Sequence, residues 1–156
     1  MNEIKKILVA LAFSEYSFGI FSYAAKLAKC MDAEIVVVNI INSRDVQAVS
    51  TITSMGYEVD RNNFVNSIKG ERLVKLNGFI KESALPPEKT QIIFRVGNPS
   101  VALLKIAVEE DVDLIVMGIK AEPDWDIFLL VRWLKSYSAV RPQQFCFTGM
   151  KSKKNG

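Results

Sequence analysis

The chain contains no histidine. That excludes Ser-His-Asp and Cys-His nucleophilic machinery and makes a zinc enzyme improbable, because imidazole is the commonest metal ligand. Cysteine is nearly as scarce. Cys30 and Cys146 stand far apart and in no metal-binding spacing, and both read as reduced thiols, Cys30 packed beneath a helix. No apolar stretch reaches the about 18 residues that a membrane span needs. The opening residues, Met1 to Lys6, run straight into a short apolar segment with no small-residue cleavage site behind it. A secretory leader is therefore not expected, and a cytoplasmic location without membrane attachment is. The net charge is only +3, part of it from Lys151, Lys153 and Lys154, so nucleic acid is not an expected partner.

What is present suits one globular domain. Hydrophobic residues make up 49% of the 156 and charged residues 24%, enough to bury a core. Ile7-Leu8-Val9-Ala10-Leu11 is a continuous apolar run of strand length, and Ile35 to Ile41 is a second, rich in β-branched residues. TQIIFRV over 90–96 and DLIVMG over 113–118 read as a third and a fourth, the latter ending in glycine. Strands are expected near 6–12, 34–41, 90–96 and 113–118. Between them lie helical periods. Residues 18–31 follow N-cap chemistry at Ser14 to Ser17, with Ile20, Phe21, Ala24, Ala25, Leu27 and Ala28 on one face. Residues 42–58 open on the polar run Asn42-Ser43-Arg44-Asp45 and read as a loop with a short helix near 46–54. A long helix is expected over 59–83, its apolar face marked by Phe64, Ile68, Leu73, Leu76, Phe79 and Ile80. Asn98 and Pro99 fit the N-cap and first position of a last helix running to Glu110. Alternating units of this kind imply an α/β, doubly wound parallel sheet with helices on both faces. Ligands then bind beyond the carboxyl ends of the strands, in the turns after Leu11, Ile41, Val96 and Gly118.

Three stretches, KKILVALAFSE, AAKLAKCMDAEIVVVNII and GNPSVALLKIAVEEDVDLIVMG, resemble the universal stress protein family over about residues 4–121. The resemblance implies an adenine-nucleotide alpha-hydrolase-like fold, a homodimer and a nucleotide site. Its expected positions here are Ala10, Ala12, Ile40, Gly118, Ala121, Val131 and Arg132, and several are degenerate. Nucleotide-binding members carry, after the fourth strand, glycine, two residues, glycine, nine residues, then glycine with Ser or Thr. Such glycines let backbone amides approach phosphates, and the last pair opens a helix whose positive end faces the anion. Gly118 fits, but Ala121 stands at the second glycine, and Val131 and Arg132 stand at Gly-Ser. Ala12 replaces an aspartate that the family often uses toward the nucleoside. Ile40 falls where the family lines the adenine pocket, although a buried strand needs an apolar residue there anyway.

After about residue 121 the resemblance stops. Residues 1–121 read as the family-like domain, and 122–156 as a divergent segment of that same domain, mobile from Lys151. No apolar strand comparable to the first four stands out there. Gln144-Phe145-Cys146-Phe147-Thr148 has the content for an improvised edge strand but is not counted as one. Two accounts fit the break, a natural divergence of the tail and a frameshift near residues 121–130. Read one base earlier from Leu130, with permitted wobble bases, the tail becomes GSVAEKLFRRSPATVLFYRDEKQKER. That string restores Gly-Ser at the family spacing, then an amphipathic helix and an apolar strand. Without them the final helix and fifth strand are altered, and dimerisation is expected to be poorer or through another surface.

The function expected is a binding or signalling module in stress response, with an unidentified protein partner. It has no catalytic residues and no metal, and ATP or AMP is a weak ligand at most. The alternative is an ATP-binding member with weak ATPase activity. Glu122, Asp124 and Asp126 could recruit a metal for it, but read more plainly as a solvated acidic turn. An ATP-pyrophosphatase-type domain would carry a Ser-Gly-Gly-x-Asp-Ser loop, which Ala12-Phe13-Ser14-Glu15 lacks.

Overall fold

The computed structural model describes residues 3–120, 125–132 and 145–151. Among the described residues six strands form one sheet: β1 (Lys6–Ala10), β2 (Glu34–Asn42), β3 (Thr90–Gly97), β4 (Leu114–Lys120), β5 (Trp125–Arg132) and β6 (Phe145–Lys151). Their spatial order is β3-β2-β1-β4-β5-β6. The first four are mutually parallel, whereas β5 runs antiparallel to β4 and β6 antiparallel to β5.

The apolar character of β1 follows from its central place. Ile7, Val9 and Leu11 point to a cluster with Phe21, Ala24 and Ala28 of helix α1 (Ser17–Met31) and Leu76 of helix α3 (Arg61–Glu82). Leu8 points the other way, to Val36 and Val38 and to Leu103, Ile106 and Ala107 of helix α4 (Pro99–Glu109). A strand covered on both faces has no reason to alternate. Small alanines on α1 let that helix lie close on the sheet, and the fully buried Phe21 contributes about 2–3 kcal/mol by area alone.

Several expectations are corrected. Helix α2 (Ser43–Ser54) starts in the polar run read as a loop, because the Asn42 side chain accepts from Arg44 N at 3.0 Å and so caps it. Ser14 does not cap α1. Its Oγ accepts from Tyr16 N at 3.3 Å in the preceding turn, and α1 has no side-chain cap. Cys30 is exposed rather than packed, since it lies on the solvent side of α1. Leu73 is 38% exposed, and only Leu76 of the expected α3 face is fully buried. Gly118 does not end its strand, because pairing with β5 carries β4 on to Lys120. The tail does hold a strand comparable to the first four: Ile127-Phe128-Leu129-Leu130-Val131 is an uninterrupted apolar run inside β5. Of the stretch 144–148, residues 145–148 lie in β6, which takes the sheet edge and includes Lys151, while Gln144 lies outside the described residues.

Three helix ends leave no glycine signal in the sequence. Asp32, Ala84 and Asp111 close α1, α3 and α4 with φ of 51°, 51° and 52°. After α3, Leu85 N donates to Ile80 O and Ala84 N to Lys81 O, the paired bonds of a Schellman end. Val112 N to Ala107 O and Asp111 N to Val108 O repeat it after α4.

Candidate functional site

In the parallel part of the sheet the chain leaves β1 for α1 on one face and arrives at β4 from α4 on the other. The carboxyl ends of β1 and β4 therefore flank the topological switch point, where open α/β sheets bind ligands. Ala10 pairs with Val38 on one side and Met117 on the other, which sets it beside Gly118. Ala10, Ile40 and Met117 lie together on the α4 face, each only partly buried. Ala12 is exposed just beyond β1. The structure thus brings Ala10, Ala12, Ile40 and Gly118 to one end of the sheet.

It does not bring Val131 and Arg132 there. Gly118 is in register with Ile127 and Val131 with Leu114. Four residues of strand, roughly 13 Å, separate the two positions, with Val131 at the amino end of β4. Arg132 is one residue farther, opposite Phe145 of β6. A phosphate held at Gly118 could not also meet a helix opened at 131. Gly118 itself is extended; among the described glycines only Gly56 has a positive φ. Ala121, Glu122 and Asp124 lie outside the described residues, and Asp126 is registered with Ile119 inside β5.

On the opposite face the carboxyl end carries a group that the apolar pattern did not reveal. Asn39 is buried in β2 at 3% exposure, and its Nδ2 donates to Leu11 O at 2.6 Å. Its Oδ1 accepts from Arg72 Nη1 of α3. The Arg72 guanidinium carbon lies 5.7 Å from the centroid of the Phe13 ring. Phe13, at φ 56°, stacks in turn on Phe79 with centroids 6.4 Å apart and planes 14° from parallel. Arg72 and Phe79 are two turns apart on α3, so one helix face holds the Phe13 ring of the β1–α1 turn. Burial pushes Arg72 below the ordinary guanidinium value, while Glu71 and Asp45 pull it back up. The one sequence signal was a polar Asn inside an apolar strand, with an Arg on the apolar side of a helix.

Two open cavities lie elsewhere. One of about 700 Å³ is lined by Ser50, Thr53, Glu58, Asp60, Arg61 and Asn63 between α2 and α3. Another of about 570 Å³ is lined by Lys5, Lys6, Asp32, Glu34, Lys89 and Asp111. Both are lined mainly by charged and polar side chains, with Val59 in the first and Met31 in the second, unlike a mostly apolar ligand site. Among the described residues no group of three or more Cys, Asp or Glu side chains could hold a metal ion, and no helix is long and apolar enough to cross a membrane.

Residues 3–132 match the model of the universal stress protein family, eleven residues past the point where the likeness of the sequence was expected to end. A universal stress protein of Staphylococcus saprophyticus is 30% identical over 119 residues, which cover 76% of this chain and 67% of that one. Among solved structures, MJ0577, the subject of a structure-based assignment of biochemical function, matches with a TM-score of 0.60 at 25% identity, over 79% of this chain and 80% of its own. UspA from Lactobacillus plantarum matches with a TM-score of 0.60 at 14% identity, over 80% and 83%, which speaks to the fold alone.

Proposed function

Since this chain belongs to the universal stress protein family, we propose that it is a binding or signalling module of the stress response, not an enzyme, whose ligand crevice lies at the carboxyl ends of β1 and β4. It binds ATP weakly or not at all, with a dissociation constant toward the millimolar end, about −4 kcal/mol. It works in the cytoplasm, as a homodimer or with a protein partner, and takes neither nucleic acid nor a membrane as its target.

The observation that carries the weak affinity is the direction of β5. An antiparallel β5 registers Val131 with Leu114, so Val131 and Arg132 cannot form a polyphosphate cradle with Gly118. Ala12 adds no carboxylate at the nucleoside end. Calorimetry with ATP tests the affinity, a phosphate-release assay the lack of turnover, and light scattering the dimer. Micromolar ATP binding would overturn the weak-affinity reading. ATP hydrolysis abolished by a substitution at Gly118 would favour the ATPase alternative.

A further inference from the structure

Helix α4 carries an apolar stripe that the described residues leave uncovered. Val101, Leu104 and Val108 recur at three and four residues and are 66%, 45% and 55% exposed. Residues so spaced are neighbours on a helix surface, so the three share one flank. The buried side, Ala102, Leu103, Ile106 and Ala107, faces the sheet. The opposite flank is turned to β3, because Glu109 Oε2 accepts from Arg95 Nη1 at 3.0 Å. In the strand order β3-β2-β1-β4-β5-β6 the apolar flank therefore looks toward β4 and β5. The sheet continues there, with Phe128 in register with Met117, Leu130 with Ile115 and Phe147 with Leu130. Yet among the described residues α4 is the one helix whose buried side chains join the apolar cluster of that face.

Scattered apolar residues on a surface need no occupant, but a stripe along one helix does. A second copy of the chain fits poorly. Three side chains fall well short of the about 800 Å² per partner that a stable interface buries. A segment of the same chain needs less area, because its tether supplies an effective concentration in about the millimolar range. Residues 133–144, which join β5 to β6, are such a segment, and Trp133, Leu134, Tyr137 and Val140 give it large, mainly apolar side chains. Both of its attachment points are placed. Arg132 pairs with Phe145, one residue beyond the pairing of Val131 with Leu114. That is the end of the sheet at which α4 finishes, where Val112 N donates to Ala107 O at 3.2 Å and the chain turns into β4. The segment thus leaves and returns beside the Val108 end of the stripe. The chain from Arg132 to Phe145 can span about 45 Å when extended, and a path from Val108 to Val101 and back takes roughly 21 Å.

We propose that the exposed flank of α4 is the seat of residues 133–144 of the same chain, with Trp133 against Val108 and Tyr137 against Leu104. Docked there, the segment fills the apolar face between α4 and β5 and directs any second copy to another surface. Lys135 and Arg141, near the two ends of the segment, then lie beside the carboxyl terminus of α4, where Glu110 and the helix dipole favour a cation.

The test uses the full chain with Cys30→Ser and Cys146→Ser. Leu104→Cys with Tyr137→Cys should form a disulfide within one chain under mild oxidation. It should form at least about tenfold faster than Lys105→Cys with Tyr137→Cys, because position 105 lies about 100° round the helix, toward β3. Equal rates would overturn the proposal by showing that the segment has no seat on α4. A disulfide between chains, seen as a dimer on a non-reducing gel of dilute protein, would overturn it in favour of a second copy. A second readout needs no engineered cysteine. With Trp125→Phe, Trp133 is the sole tryptophan. Val108→Asp should then shift its emission to the red and speed tryptic cleavage after Lys135 several-fold, with the far-ultraviolet circular dichroism unchanged. Val108 is half-exposed, so the fold tolerates the aspartate, and this variant decides should the Leu104→Cys pair not fold. Unchanged emission and cleavage in Val108→Asp would overturn the proposal as well.

Discussion

Lys6 and Asp113 are joined twice. Asp113 N donates to Lys6 O at 2.8 Å, and Lys6 N donates to Asp113 Oδ2 at 3.0 Å. The same carboxylate oxygen accepts from Lys5 N at 2.9 Å. Asp113 is 6% exposed, so a carboxylate at the foot of the sheet starts β1 and β4 in register.

Asp113→Ala leaves two amides without their acceptor and should cost about 2–3 kcal/mol. Asp113→Asn keeps an acceptor oxygen and should cost roughly half as much. Urea denaturation of the two variants checks the order; equal losses would show that packing and not the carboxylate matters.

Ala84 closes α3 in the left-handed region, exposed and without a side chain to lose. Relief of about 1–2 kcal/mol of backbone strain should exceed the roughly 0.5–1 kcal/mol entropic cost of glycine. Ala84→Gly should therefore stabilise the fold by about 0.5–1 kcal/mol, seen as a higher urea midpoint with unchanged slope.

The surface pair Asp32–Lys89 gives a small pH dependence at both extremes. The hydrogen bond from Lys89 holds the Asp32 carboxyl below the usual carboxylate range, and Asp32 raises Lys89. A depressed acid contributes stability that is present above its unfolded value of 3.8 and lost as pH falls through the lower folded value. A raised lysine contributes stability that is full below 10.5 and lost as pH rises through the higher folded value. Asp32→Asn should flatten both limbs, and salt should do the same because the pair is exposed. Thermal midpoints from pH about 2 to 12, with and without added salt, measure it.

The direction of β5 can be read chemically. Gly118 and Ile127 face each other across an antiparallel pair, at the about 4.5–5.5 Å Cα spacing that a disulfide accepts. In a background of Cys30→Ser and Cys146→Ser, Gly118→Cys with Ile127→Cys should cross-link under mild oxidation. A parallel β5 would leave both thiols free.

Replacing the chain from Val131 onward with GSVAEKLFRRSPATVLFYRDEKQKER should reverse that result and strengthen ATP binding about tenfold or more, more than Ala12→Asp alone. Calorimetry of the chain as it stands, the replaced form and the combined change checks this. Unchanged affinity in the replaced form would count against Gly-Ser as the missing element.

Much of the fold was legible because burial on both faces leaves a mark in linear sequence. Ile7 to Leu11 and Ile35 to Ile41 had no solvent face to alternate toward, and Asn98-Pro99 announced α4 through chemistry local to four residues. Helix ends without glycine left no mark. Asp32, Ala84 and Asp111 adopt the left-handed region only because the following residues, buried or partnered in the next element, hold them there. The strand at 125–132 carries a plain apolar run, Ile127 to Val131, but its direction is set only by pairing with β4.

The sequence by itself determined four parallel strands and their alternation with helices, and from these the carboxyl end of the sheet is the expected place for a ligand. Those depend on local periodicity and on burial, which are properties of short stretches. Only the tertiary structure decided which residues meet at that end. Val131 and Gly118 stand at a family spacing, yet one reversal of strand direction separates them, while Asn39 and Arg72, 33 residues apart, are brought into contact. Spacing along a chain fixes distance only inside a single element; between elements it is the direction of the strands and the packing of the helices that set it.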